Sequence, residues 1–165
     1  MKALLTTAAF GAGLLAAAPG AFAAEYAVIK LDTTVNAPID KVWSKVGGYC
    51  QIQDWLKQLA PCVLSGDGGL GSVRKLGAQG ITEVMVAQTR YSYTYAQPTE
   101  PGLGILYHGT LSAEPIDKGH TKLMYSVVWD IAPDGTQDKK DADRKRRSDG
   151  FTTALANMKA IAEAK

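Results

Sequence analysis

Between Cys62 and Ile131, six short runs rich in β-branched and aromatic residues alternate with turns rich in glycine and proline: Cys62–Ser65, Ser72–Leu76, Ile81–Gln88, Tyr91–Gln97, Ile105–Glu114 and Lys122–Ile131. The connections are too short to hold a crossover helix, so successive strands must return antiparallel and build a meander. A sheet made this way curls. Upstream, Tyr26–Val35 alternates loosely and reads as a first strand, which Asn36-Ala37-Pro38 ends. Ile39, Val42, Trp43 and Val46 then recur at helical spacing up to Gly47-Gly48. A second short helix is expected over Gln51–Leu59, stopping before Pro61 because the residue ahead of a proline is pushed out of the helical region. From about Gln137 to Ala164 the only breaker is Gly150, and Phe151, Leu155, Met158 and Ala162 keep one helical face apolar. Such a helix is about 40 Å long at about 1.5 Å per residue, enough to cross a whole sheet. The class is α+β.

The first residues belong to a different kind of segment. Met1 and Lys2 are followed by the apolar stretch Ala3–Ala18, the breaker Pro19-Gly20 and the small-x-small triplet Ala21-Phe22-Ala23. This is the pattern of a signal peptide, residues 1–23, cleaved after Ala23. The stretch is shorter than the roughly 20 residues that span a bilayer, so no stable membrane anchor is expected. Residues 24–165 then form one domain, large enough for a single core. Export to the periplasm places Cys50 and Cys62 in an oxidising compartment, where they can bridge and close a short loop. Two buried free thiols are the other reading.

The formal charge of the chain is +2, which falls to +1 without Lys2, so no global field draws nucleic acid. Asp138–Asp149 is almost entirely charged. Its six basic residues are interleaved with Asp138, Asp141, Asp143 and Asp149, which marks a solvated helix face better than a lipid-docking one. The two histidines, His108 and His120, lack metal-ligand spacing with carboxylates or thiols, so no metal site is expected. Gly66–Gly71 lacks the Lys-Ser/Thr of a phosphate-cradling loop and reads as a turn, and no Ser-His-Asp order is suggested. No cofactor is implied.

Val35-Asn36-Ala37-Pro38 with Val42-Trp43 resembles the entry to the first helix of polyketide cyclase/dehydrase-like proteins in the SRPBCC superfamily. Trp55, Gly71-Ser72-Val73-Arg74, Thr82-Glu83, Tyr93-Thr94-Tyr95, Tyr107 and Trp129 follow in the order of that family's recurring positions. The likeness covers nearly all of residues 24–165. It implies a START-like helix-grip fold: a curved antiparallel sheet of about seven strands, two short helices after the first, and a long C-terminal helix packed across the sheet over a ligand pocket. It does not imply a reaction, because the family holds carriers, receptors and enzymes alike.

One constellation follows from the residues themselves. A four-residue turn at Gly77–Gly80 pairs Leu76 with Ile81, Lys75 with Thr82 and Arg74 with Glu83. Alternation leaves the face of Arg74 and Glu83 open, the plainer reading being a register-fixing salt bridge at the sheet's rim. Facing a cavity instead, the pair would present a fixed dipole to a carboxylate or carbonyl. Leu123, Tyr125, Val127, Trp129 and Ile131 should face inward, as should Tyr107, Gly109, Leu111 and Ala113, which turns His108 outward. Tyr91, Tyr93 and Tyr95 share a face. Asp54 would serve as a general base only if buried, and on a short helix it is expected to be solvated.

The candidate ligand-binding set is therefore Trp55, Arg74, Glu83, Tyr93, Tyr95, Tyr107, Tyr125, Trp129, Phe151 and Leu155. An exported binding protein for a hydrophobic or aromatic small molecule, a lipid, polyketide or phenolic, fits it best. The alternatives are a cyclase, dehydratase or condensing enzyme with Glu83 and Tyr93, Tyr95 or Tyr107 as acid and base, and an interaction module with a filled core. Arg74 opposes the enzyme reading, since a neighbouring cation favours the ionised carboxylate.

Overall fold

The computed structural model describes residues 23–164, so the leader segment 1–23 lies outside the described residues except for Ala23. The seven strands are β1 (Tyr26–Val35), β2 (Cys62–Ser65), β3 (Val73–Leu76), β4 (Ile81–Thr89), β5 (Ser92–Ala96), β6 (His108–Pro115) and β7 (Thr121–Asp130). They form one antiparallel sheet in the order β1-β7-β6-β5-β4-β3-β2. Only β1 departs from the meander, closing the sheet by pairing with β7 along its whole length, Tyr26 opposite Asp130 through Val35 opposite Thr121. A register shift between Met85 and Ala87 marks a bulge in β4, which sharpens the local bend.

Helix α1 (Ile39–Val46) starts where Pro38 lends its carbonyl to the Val42 N–H at 3.0 Å, and it buries Val42 and Val46. The second helix is shorter than its apolar spacing suggests. It breaks into α2 (Ile52–Trp55) and a 3-10 turn at Lys57–Leu59, with Leu56 at φ −125° and ψ 73° between them. Trp55 and Leu56 are both buried, and the break lets two consecutive side chains reach the core that a continuous helix would separate by about 100°. The run expected to start at Ile105 is also shorter. Leu103–Ile105 forms a 3-10 turn and Leu106 takes a left-handed φ of 52°, yet Tyr107 still turns inward.

Helix α3 (Gln137–Glu163) lies against β1, β7, α1 and α2. Its C-terminal half buries Ala154, Leu155, Met158 and Ala162, and the small alanines allow close approach. Its charged N-terminal half is not wholly a solvated face as its composition predicts. Asp143 and Arg147 turn inward, 14% and 19% exposed, because one side of this half borders a cavity between the helix and the sheet. The inner face of β7 is as alternation requires: Leu123, Tyr125, Val127 and Trp129 are buried, and Ile131 follows them in.

Two tethers hold the helical wall in place. Cys50 and Cys62 form a disulfide with Cα atoms 5.5 Å apart, and Asn157 of α3 donates to the Trp55 carbonyl at 3.0 Å. Replacing both cysteines with alanine frees a loop of about a dozen residues, so we expect a loss of about 2–4 kcal/mol in denaturant unfolding. An unchanged midpoint would mean that the bridge constrains nothing.

Candidate functional site

A cavity of about 320 Å³ lies between the concave side of the sheet and the α2–α3 layer. Ile52, Leu56, Leu59, Leu76, Ile81 and Ile105 supply much of its apolar wall. The polar groups reaching it are Glu83, Gln97, the tyrosines Tyr95, Tyr107 and Tyr125, Gln58, and Arg146 and Arg147 from the roof.

The pairing of Arg74 with Glu83 is the one that loop length predicts. The rim position is not: Arg74 is fully buried and Glu83 is 3% exposed. The cause is the bend in the sheet, which carries β3 and β4 under the loop joining α1 to α2. Arg74 Nε donates to Glu83 Oε2 at 2.7 Å, and Nη1 donates to the Tyr49 carbonyl of that loop. Nη2 lies 2.6 Å from the same Oε2 but has no acceptor in hydrogen-bonding geometry. The guanidinium carbon sits 4.1 Å from the Tyr49 ring centre, 4.9 Å from that of Tyr95 and 5.6 Å from that of Tyr93. Burial works against the Arg74 charge, but the tyrosine oxygens and Glu83 outweigh it and hold its pKa above the ordinary arginine value.

Only the carboxylate end of this pair reaches the cavity. Arg74 is sealed behind it, so the site shows a guest an acceptor rather than a dipole. Gln97 donates its amide to Glu83 Oε1 at 3.0 Å and fixes the carboxylate from the other side. The Tyr95 and Tyr125 hydroxyls are bonded to each other at 2.8 Å, and Phe151 stacks on Tyr125 at 4.5 Å. Tyr95 lies directly over Gly109, its partner across the β5–β6 ladder. A Cβ at Gly109 would come within 2.3 Å of the Tyr95 ring, so only glycine leaves room for this aromatic floor. Burial pushes the Tyr107 phenol up to about 12 and those of Tyr95 and Tyr125 well above the ordinary value.

Of the residues singled out in the sequence, Glu83, Tyr95, Tyr107, Tyr125 and Phe151 line the cavity together. The other five stand behind or beside it. Arg74 backs Glu83, and Trp55 meets Tyr125 edge-on at 6.0 Å. Tyr93 looks into a separate cleft with Trp43 and Met85, Leu155 lines a shallow groove with Leu31, and Trp129 lies under the Arg147 guanidinium at 4.9 Å. Asp54 is exposed, as its short helix predicts, and so is His108. Tyr91 is half-buried and gives its hydroxyl to Asp40 at 2.6 Å, away from the site. Sequence reasoning missed apolar wall residues such as Ile52 and Leu56, and also Gln97, Ile105, Arg146, Arg147 and Gly150. Gly150 carried a signal, being the lone glycine of a long helix.

This fold is the START-like helix grip. The chain belongs to the polyketide cyclase/dehydrase and lipid transport family, whose model matches residues 26–163. No curated protein sequence matches it. Among solved structures, a protein of Thermobifida fusca is similar at TM-score 0.68 and 22% identity, over 80% of this chain and 90% of that one. Truncated norcoclaurine synthase of Thalictrum flavum is similar at TM-score 0.66 and 19% identity, over 88% and 99%. The di-domain ARO/CYC protein BexL is similar at TM-score 0.63 and 18% identity, over 85% of this chain and 51% of that one.

Removing Arg74 alone leaves a buried carboxylate unpaired. Arg74→Met should therefore cost about 3–5 kcal/mol, and adding Glu83→Leu should restore much of it. Equal losses in the single and double variants in urea titrations would show that the charge pair is not what the core needs.

Tyrosine ionisation gives a second check. A tyrosine in an unfolded chain ionises near pH 10, whereas Tyr49, Tyr93, Tyr95, Tyr107 and Tyr125 are all held higher by burial. The fold thus favours their neutral forms. That contribution is intact below pH 10 and is lost as pH climbs above 10, through about 12 for Tyr107. Tyrosinate absorbance of these five should rise together with loss of circular dichroism; smooth titration near pH 10 in a folded protein contradicts it.

Proposed function

We propose that this chain is an exported binding protein that holds a compact hydrophobic or aromatic molecule between the sheet and α3. The observation that carries the reading is Gly150. A mid-helix glycine costs about 0.5–1 kcal/mol relative to alanine, and nothing crowds this one: a Cβ placed there meets no heavy atom within 4 Å. Gly150 is exposed and borders the mouth of the cavity, so its missing side chain leaves the entrance beside α3 open.

The cavity sits at the small end of the roughly 300–1,000 Å³ range of ligand pockets, which suits a ring system better than a long acyl chain. A guest hydroxyl has an acceptor in Glu83, and the aromatic floor of Tyr95, Tyr107 and Phe151 offers ring faces to stack on. Export is supported by the leader pattern of residues 1–23 and agrees with a bridged Cys50 and Cys62.

The placement of Glu83 beside Tyr95 and Tyr107 gives the enzyme reading its one specific support. Against it, Arg74 and Gln97 already hold both carboxylate oxygens, and phenols held this high stay protonated at neutral pH and cannot act as bases. The cavity is built to hold rather than to move protons.

Gly150→Leu separates binding from folding. The substitution should raise helix stability by about 0.5–1 kcal/mol while filling the opening. Native mass spectrometry of protein from its own host should show a small molecule on the wild type and none on the variant. An empty wild type, or a variant that keeps its guest, would remove the binding reading; turnover of a polyketide or aldehyde lost in Glu83→Gln would install the enzyme instead.

A further inference from the structure

We propose that the guest is an organic anion whose acid group is held by Arg147 at the α3 end of the cavity. The inference rests on the cavity being the binding site and adds the charge of what enters it.

The charges around the cavity do not cancel. Glu83 on the sheet side is answered by Arg74 directly behind it. On the roof, by contrast, one carboxylate serves two guanidiniums: Asp143 accepts from Arg146 and, at 2.7 Å, from Arg147 Nε. The roof therefore keeps one positive charge in excess, and both arginines line the cavity. Arg147 is the better placed of the two, since its side chain is 19% exposed whereas that of Arg146 is 68% exposed.

Arg147 is also held ready. Its guanidinium carbon lies 5.2 Å from the Tyr107 ring centre and 4.9 Å from that of Trp129, so two aromatic faces and Asp143 fix its plane. Among the described residues its hydrogen bond to a carboxylate uses Nε, and the Nη end, beside the Tyr107 phenol, is where an incoming pair of oxygens would be met. A surface i,i+4 pair needs none of this, because exposed arginines satisfy aspartates without lying on aromatic rings. A fork of N–H donors aimed at a partly dry cavity matches a planar carboxylate, a sulfonate or an acidic phenolate.

Glu83 sets the orientation. Like charges repel, so the acid end faces the roof and a neutral or hydroxyl-bearing end faces Glu83. An apolar ring between them would rest on Tyr107 and Phe151.

Two fluorescent probes of one ring skeleton test this: anilinonaphthalene sulfonate, an anion, and phenylnaphthylamine, which is neutral. The wild type should prefer the anion by about tenfold or more, the scale of one charge-assisted hydrogen-bonded contact. Arg147→Gln should abolish that preference, and Arg147→Lys should keep part of it. Lys145→Gln, which removes a charge from the exposed side of the same helix, should leave the preference in place. Equal affinity for both probes in the wild type, or an undiminished preference in Arg147→Gln, overturns the anion assignment while the cavity reading survives. If neither probe binds the wild type, both fall together.

Discussion

A single buried ion pair organises this protein. Arg74 ties β3 to β4 through Glu83, reaches the loop between α1 and α2 through the Tyr49 carbonyl, and carries the rings of Tyr49, Tyr93 and Tyr95 around its charge. Two ions out of water are costly, and the pair persists because Nε and Nη1 find acceptors and the cation finds aromatic faces. An apolar replacement of similar volume would hold the strands equally well but would put no acceptor on the cavity wall. The pair is thus where the folding of the sheet and the chemistry of the site meet.

Much of this was legible from residue order. Strand register around Gly77–Gly80 follows from loop length, and the inward face of β7 follows from alternation, because both are local rules. The face of Arg74 and Glu83 was not legible. It depends on the sheet bending beneath a helical loop far away in sequence, and no local pattern reports that. The break at Leu56 escaped for the same reason, since the apolar spacing of Gln51–Leu59 is compatible with one helix until the core demands both Trp55 and Leu56.

The candidate site shows a sharper division. Aromatic strand residues were easy to nominate, yet only some of them touch the cavity: Tyr95, Tyr107 and Tyr125 do, while Tyr93 borders a separate cleft and Trp129 is buried away from it. Composition gave both groups the same signal. The charged half of α3 hid the opposite case, because Arg147 reads as one more solvated charge until Asp143, Tyr107 and Trp129 are seen around it. Side chains that make a site differ from those that make a core by what lies beyond them, and that is a three-dimensional fact.

The bridge between Cys50 and Cys62 spans the segment that supplies Ile52 and Leu56 to the cavity wall. While the thiols are reduced, that segment is still held by packing and by Asn157 on the Trp55 carbonyl. A copy held in a reducing compartment would have one panel of that chamber less firmly fastened. How firmly the chamber is walled then depends on where the molecule resides.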